Sequence, residues 1–246
     1  MPYDFSEAHH LPNRRLPEQA LADPRDLPRQ RVGITPQMHG RYPDYDVLSQ
    51  ADHWDEVTRR VVLDRVENVP PIRFFDAREE ATLRAFCDVV TAQDSEPRVP
   101  VLEMVDAKLH AGKLDGFQYA DMPDDREVWR LAAKGLDDVA RARGAESFDR
   151  ADDPIKLEIV AAFHKGELAG GVWDRMPAAK AFSVLMRAVL SQFYSHPWAW
   201  NEIGFGGPAY PRGYARLVIG LRETWEGEEA FDVDPVRDVQ ERGTDR

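Results

Sequence analysis

Cysteine is nearly absent: Cys87 stands alone in 246 residues. One thiol excludes an internal disulfide, an iron–sulfur cluster and a zinc knuckle, and no C-x-x-C-H haem attachment is present. Positive charge is the minority sign, with 32 basic against 44 acidic side chains and a net charge of −12. That balance argues against nucleic acid or an anionic membrane as partner, since both reward clustered cations. Long apolar runs are missing as well, and nothing approaches the ~20 residues of a membrane-spanning helix. The chain therefore carries no direct membrane insertion signal. Lysine is scarce, 6 against 26 arginines, which stocks the surface with planar donor forks suited to protein contacts.

Regular periodicity is lacking over residues 1–46, where seven prolines fall. Such a stretch buries too little apolar surface to fold alone. It carries an Arg14-Arg15 pair, but Leu16 is followed by Pro17, Glu18 and Gln19 where a twin-arginine export signal has an apolar stretch. The expectation is a cytoplasmic chain, or a periplasmic one only if exported with a partner that carries the signal. A short amphipathic helix follows, with Trp54, Val57, Val61 and Val62 at helical spacing, and "ENVPP" ends it.

What is present is helix. Asp76 with Glu79 reads as an N-terminal cap pair ahead of Leu83, Phe86, Cys87 and Val90. Cys87 thus falls on an apolar stripe, as a buried small hydrophobe. Pro100 opens a second helix with Val101, Leu102, Val105 and Leu109 inward and Gly112 as its stop. Val128, Leu131, Ala132, Gly135, Leu136 and Val139 stripe a third, which ends at Arg141, Arg143 and Gly144. A fourth starts at Asp153-Pro154 and carries Ile155, Ile159, Val160 and Phe163. After "GELAGGVWDRMP", read as a flexible link, a fifth carries Phe182, Leu185, Met186, Val189, Leu190 and Phe193 inward. The fold class expected is all-α: about five helices between a proline-rich arm at 1–72 and an acidic tail at 223–246. The helical domain at 73–222 includes an aromatic, Gly/Pro-rich segment at 194–214.

The chemistry candidates are thin. Glu103, Asp106 and His110 share one side of the second helix, but a di-iron bundle needs Glu-x-x-His on two helices and the helical stretches offer none. A solvated helix face is the expectation there, and the His9-His10 pair in the arm makes no better site. "GFGGP" follows a helix and runs into Pro208, with no G-K-[ST] lysine, so it is turn chemistry rather than a phosphate loop. His196 beside Ser195 lacks any nucleophile elbow, and a triad is defined by geometry rather than adjacency. A cap at a helix end is the simpler role for that histidine.

What remains is "YSHPWAWNEIGFGGPAYPRGY", residues 194 to 214, with two tryptophans, four tyrosines or phenylalanines, four glycines and three prolines. This density predicts an irregular segment. Trp198, Trp200, Phe205, Tyr210 and Tyr214 combine large area with few rotatable bonds, as interface anchors do. They are read either as a surface for a partner or as a lid folded back on the helices.

The order of these features resembles the gluconate 2-dehydrogenase subunit 3 family. "F-x-x-x-E-x-x-x-L" runs from Phe75 to Leu83, then come "TAQDSEPRVP", "KGLDDVARARGAESF" and the closing "FYSHPWAWNEIGFGGPAYPRGY". The resemblance covers roughly residues 74 to 217. It implies a non-flavin accessory subunit that assists folding, stability or export of a large FAD-containing subunit of the glucose–methanol–choline (GMC) oxidoreductase class. That partner would oxidise a sugar, sugar acid or polyol, with an electron-transfer subunit as a further candidate partner. This chain would hold no cofactor, metal or catalytic residue of its own, and FAD would sit in the partner. The implied partner interface comprises Tyr194, His196, Trp198, Trp200, Asn201, Gly204, Phe205, Gly206, Gly207, Tyr210 and Arg212. The alternatives that stay open are an independent small all-α enzyme and a generic protein-binding scaffold.

Overall fold

A computed structural model describes residues 22–28, 42, 44–113, 116, 118–213 and 222–228. The His9-His10 and Arg14-Arg15 pairs, Tyr214 and the tail beyond 228 lie outside the described residues. Within them run seven α-helices: α1 Glu56–Glu67, α2 Ala77–Val90, α3 Val101–His110, α4 Asp125–Ala142, α5 Asp153–Lys165, α6 Ala178–Phe193 and α7 Pro197–Ile203. Two 3-10 helices, Val47–His53 and Gly171–Asp174, complete the set, and the described residues contain no strand.

The helix starts follow from their caps. Asp76 accepts from the N–H groups of Arg78 and Glu79 at 2.8 Å each, and Glu79 accepts in return from the Asp76 N–H at 3.0 Å. This reciprocal box satisfies donors that the first turn of α2 leaves open. Asp124 accepts from the N–H groups of Arg126 and Glu127 at the start of α4, and Pro154 sits at the first turn of α5, where its missing N–H has no cost. Five helices, α2 to α6, pack on one another. Their stripes bury Leu83, Phe86 and Cys87, Leu102 and Val105, Val128 and Leu136, Ile159 and Phe163, Leu185 and Val189. Each large apolar side chain taken out of water contributes about 1.5–3 kcal/mol. Burial also pushes the Cys87 thiol pKa up, so it stays a neutral hydrophobe.

Three expectations change on contact with the structure. "GELAGGVWDRMP" is no simple link: Val172 and Trp173 are buried within its 3-10 turn, on the flank of α4. A Cβ at Gly135 would come within 2.6 Å of Val172, so the glycine is what lets that turn seat. Asp106 lies on no solvated face. It is 0% exposed and accepts from the N–H groups of Arg73, Phe74 and Phe75 at 2.8, 2.8 and 3.0 Å. It thus satisfies the loop that leads into α2, while Glu103 pairs with Arg84 at 2.8 Å and His110 is exposed. Among the described residues no group of three or more His, Cys, Asp or Glu could hold a metal. Finally, Val61 and Leu190, which their spacing sets among the apolar residues of their helices, are 50% and 41% exposed.

A second buried carboxylate ties α2 to α4. Asp137 accepts from Arg78 Nε at 2.7 Å and Nη2 at 2.9 Å, from the Thr82 hydroxyl at 2.9 Å and from the Phe148 N–H at 3.0 Å. Burial alone would raise its pKa, but these donors together hold the carboxyl below its ordinary value.

Candidate functional site

The segment expected to be irregular begins with a helix. Pro197 occupies the first turn of α7, His196 is its N-cap, and Gly204 closes it in the left-handed conformation at φ 66°. Proline just inside the start and glycine just past the end is the ordinary asymmetry of a helix. One short turn of chain, Tyr194 to His196, separates α6 from α7. It is held from both sides: the Trp200 indole N–H donates to the Tyr194 carbonyl at 2.6 Å, and the Ser195 hydroxyl donates to the Gln192 carbonyl at 2.8 Å.

His196 is a cap, with both ring nitrogens engaged. Nδ1 accepts from the Trp198 N–H at 3.2 Å. Nε2 lies 3.1 Å from the carbonyl of Arg65, which only accepts, so Nε2 carries the proton. The ring is 1% exposed and stands edge-on to Trp198 at 4.8 Å. Burial drives its pKa down to about 3, with the Arg65 charge adding to the effect and the carbonyl bond opposing it. A protonated ring would also set an N–H against the Trp198 N–H. The geometry is therefore that of a fixed neutral strut.

The arm supplies the other half of the site. Asn201 Oδ1 accepts from the Val47 N–H at 2.8 Å, and Val47, Leu48 and Ala51 of the first 3-10 helix are buried. Tyr45 donates its hydroxyl to the Trp225 carbonyl at 2.8 Å, and burial raises its pKa. Thus part of the stretch read as an arm, together with residues 222–228, lies against the chain's own C-terminal segment. One hydrophobic cluster runs from Leu27 and Val47 through Trp200, across the expected boundary at residue 72.

Three glycines receive three rings. A Cβ at Gly204 would come within 2.5 Å of the Tyr42 ring, and one at Gly207 (φ 75°) within 2.8 Å of the Trp54 ring. At Gly206 it would strike Trp225, whose carbonyl oxygen lies only 2.8 Å from the Cβ position. The close approach expected of these glycines is thus made by rings of this chain. Arg212 binds the turn that follows, donating to the carbonyls of Gly206 and Pro208 at 3.1 Å each and to Gln50 Oε1 at 3.2 Å. Its guanidinium stacks 4.3 Å from the Trp225 ring.

The expected interface residues therefore divide in two. His196, Trp198, Trp200, Asn201, Gly204, Gly206 and Gly207 are buried. Phe205 and Arg212 are partly buried, while Tyr194 and Tyr210 are 42% and 50% exposed. Sequence reasoning missed Tyr42, Tyr45, Arg65, Ile203 and Trp225. Tyr42 and Tyr45 sit among prolines without periodicity, so no local pattern marks them. Ile203, one turn after Trp200, would have been found had α7 been read from its proline and glycine.

These features define an all-helical domain with a braced aromatic platform at one end, and no membrane-spanning helix among the described residues. The family model for gluconate 2-dehydrogenase subunit 3 matches residues 77–207, from the start of α2 through the glycines of the platform. The chain belongs to that family, and membership implies a subunit of a multisubunit dehydrogenase. No curated protein and no solved structure matches it.

Proposed function

We propose that this protein is the non-catalytic small subunit of an FAD-dependent dehydrogenase acting on a sugar, sugar acid or polyol. In that role it binds and stabilises a GMC-type flavoprotein, and FAD resides in the partner. The observation that carries the reading is the family match over residues 77–207. The platform supports it, because the matched region ends in this braced aromatic structure. Of the expected interface residues, Tyr194, Phe205, Tyr210 and Arg212 are those whose side chains reach solvent. They are the contacts of this reading. His196, Trp198, Trp200, Asn201, Gly204, Gly206 and Gly207 act behind them by fixing the surface, which lowers the ordering cost of docking.

The test is affinity purification of the tagged chain from its native host, with an absorbance spectrum of the co-eluting material. The expected outcome is a yellow complex with flavin bands that bleach on addition of the right sugar or polyol. A colourless, lone, monodisperse protein would overturn the assignment. Purified alone, the chain is expected to be colourless and without dehydrogenase activity.

A further inference from the structure

Arg65 projects from the last turn of α1 to the α6–α7 junction. Its Nη1 donates to the Ser195 carbonyl, and the guanidinium lies 5.9 Å from the Trp200 ring. The side chain is partly buried, yet no carboxylate among the described residues pairs with it. Burial lowers its pKa, and among the described residues no acid offsets that effect. The adjacent acid, Asp64, is turned to Asn68, accepting from Nδ2 at 2.7 Å. Other partly covered arginines here do have acids: Arg59 with Asp52, Arg84 with Glu80 and Glu103, Arg98 with Asp88. A cation drawn out of water without a counter-charge is unfavourable in an isolated chain.

Exposed apolar side chains occur on each of the helices that meet at this junction. Val61, one turn earlier on α1, is 50% exposed. Leu190 and Tyr194, one turn apart at the end of α6, are 41% and 42% exposed, and Ile203 at the end of α7 is 40% exposed. Among the described residues these four are more than half of the exposed large hydrophobics, the others being Val69, Leu157 and Tyr210. An arginine and a tyrosine together with exposed aliphatic side chains on adjoining helices is the composition of an interface hot spot. Among the described residues the guanidinium donates through Nη1 to Ser195, and its Nε and Nη2 edge has the geometry to meet the two oxygens of a carboxylate.

We propose that the surface centred on Arg65 and rimmed by Val61, Leu190, Tyr194 and Ile203 docks an Asp or Glu side chain of the flavoprotein subunit. This inference rests on the accessory-subunit reading and adds the anchoring charge and the face of the molecule that meets the partner. α1 and the α6–α7 turn together form that face, so the contact extends beyond the 194–212 segment.

The experiment measures the Kd between the purified chain and the FAD-containing subunit that co-purifies with it. Two variants probe the anchor. Arg65→Met keeps the apolar stem and removes the charge, and at least about thirty-fold weaker binding is expected. Val61→Glu places a carboxylate one turn before Arg65 at an exposed helix position. There it pairs with the guanidinium from within the chain without disturbing the fold. Thermal unfolding of Val61→Glu should match wild type while its binding weakens at least about ten-fold. Wild-type affinity in both variants overturns the docking surface and leaves the accessory-subunit reading standing. A wild-type chain that binds no flavoprotein sinks both. Should Arg65→Met unfold, Val61→Glu alone decides the matter.

Discussion

Acidification from pH 7 to pH 5 should loosen this protein through His196. Free imidazole has a pKa of 6.5, whereas burial holds that of His196 at about 3. Over this window the unfolded chain binds the proton and the folded chain does not, so stability falls as the pH falls. Integrating between the two pH values gives a loss of about 2 kcal/mol from this one ring. Other carboxyls and histidines also titrate, so the measurement is a difference. His196→Asn keeps a side-chain oxygen to cap α7 but cannot titrate in this range. Urea unfolding at pH 7, 6 and 5, followed by tryptophan fluorescence, should show wild type losing about 2 kcal/mol more than the variant. Trp198 and Trp200 flank the cap and report on the relevant region. Parallel losses, agreeing within roughly 0.5 kcal/mol, would refute the account of His196 as a buried neutral strut.

Asp106→Ala should lose about 3 kcal/mol or more, because it leaves the N–H groups of Phe74 and Phe75 buried without an acceptor. A midpoint shift in urea checks it, and an effect under roughly 1 kcal/mol would mean that water reaches the loop. Gly206→Ala drives a methyl group into Trp225. The variant should be cut within residues 222–228 by dilute protease while the thermal transition of the helical core changes little.

The helices α2 to α6 were legible because their apolar residues recur at the helical period and their ends carry the expected caps. Asp76 and Glu79 form the box that their spacing promises. Two errors came from weighing residue type above position. Charge alone places Asp106 in solvent, although it stands among Leu102, Val105 and Leu109 on the buried side of α3. Its burial depends on a loop 31 to 33 residues earlier, whose three N–H groups no local pattern reveals. α7 was concealed by its neighbours, the glycines and prolines of 204–213, although Pro197 and Gly204 marked its limits. The platform itself was half legible. Its aromatic and glycine content announced close contact between rings and backbone, but which rings would come was beyond any local reading. Tyr42, Trp54 and Trp225 arrive from distant parts of the chain, and their seats are spatial rather than sequential.

The seat of Val47 on Asn201 joins residues 154 positions apart, and Tyr45 reaches a carbonyl 180 positions further on. During synthesis at ~5–20 residues per second, the early segment waits roughly 8 to 30 seconds before the residues that receive it have been made. Val47, Leu48 and Trp54, all buried in the finished fold, have nowhere to go in that interval. The platform therefore closes only after Asn201 and Trp225 have been made, later than the residues of α2 to α5 that pack on one another.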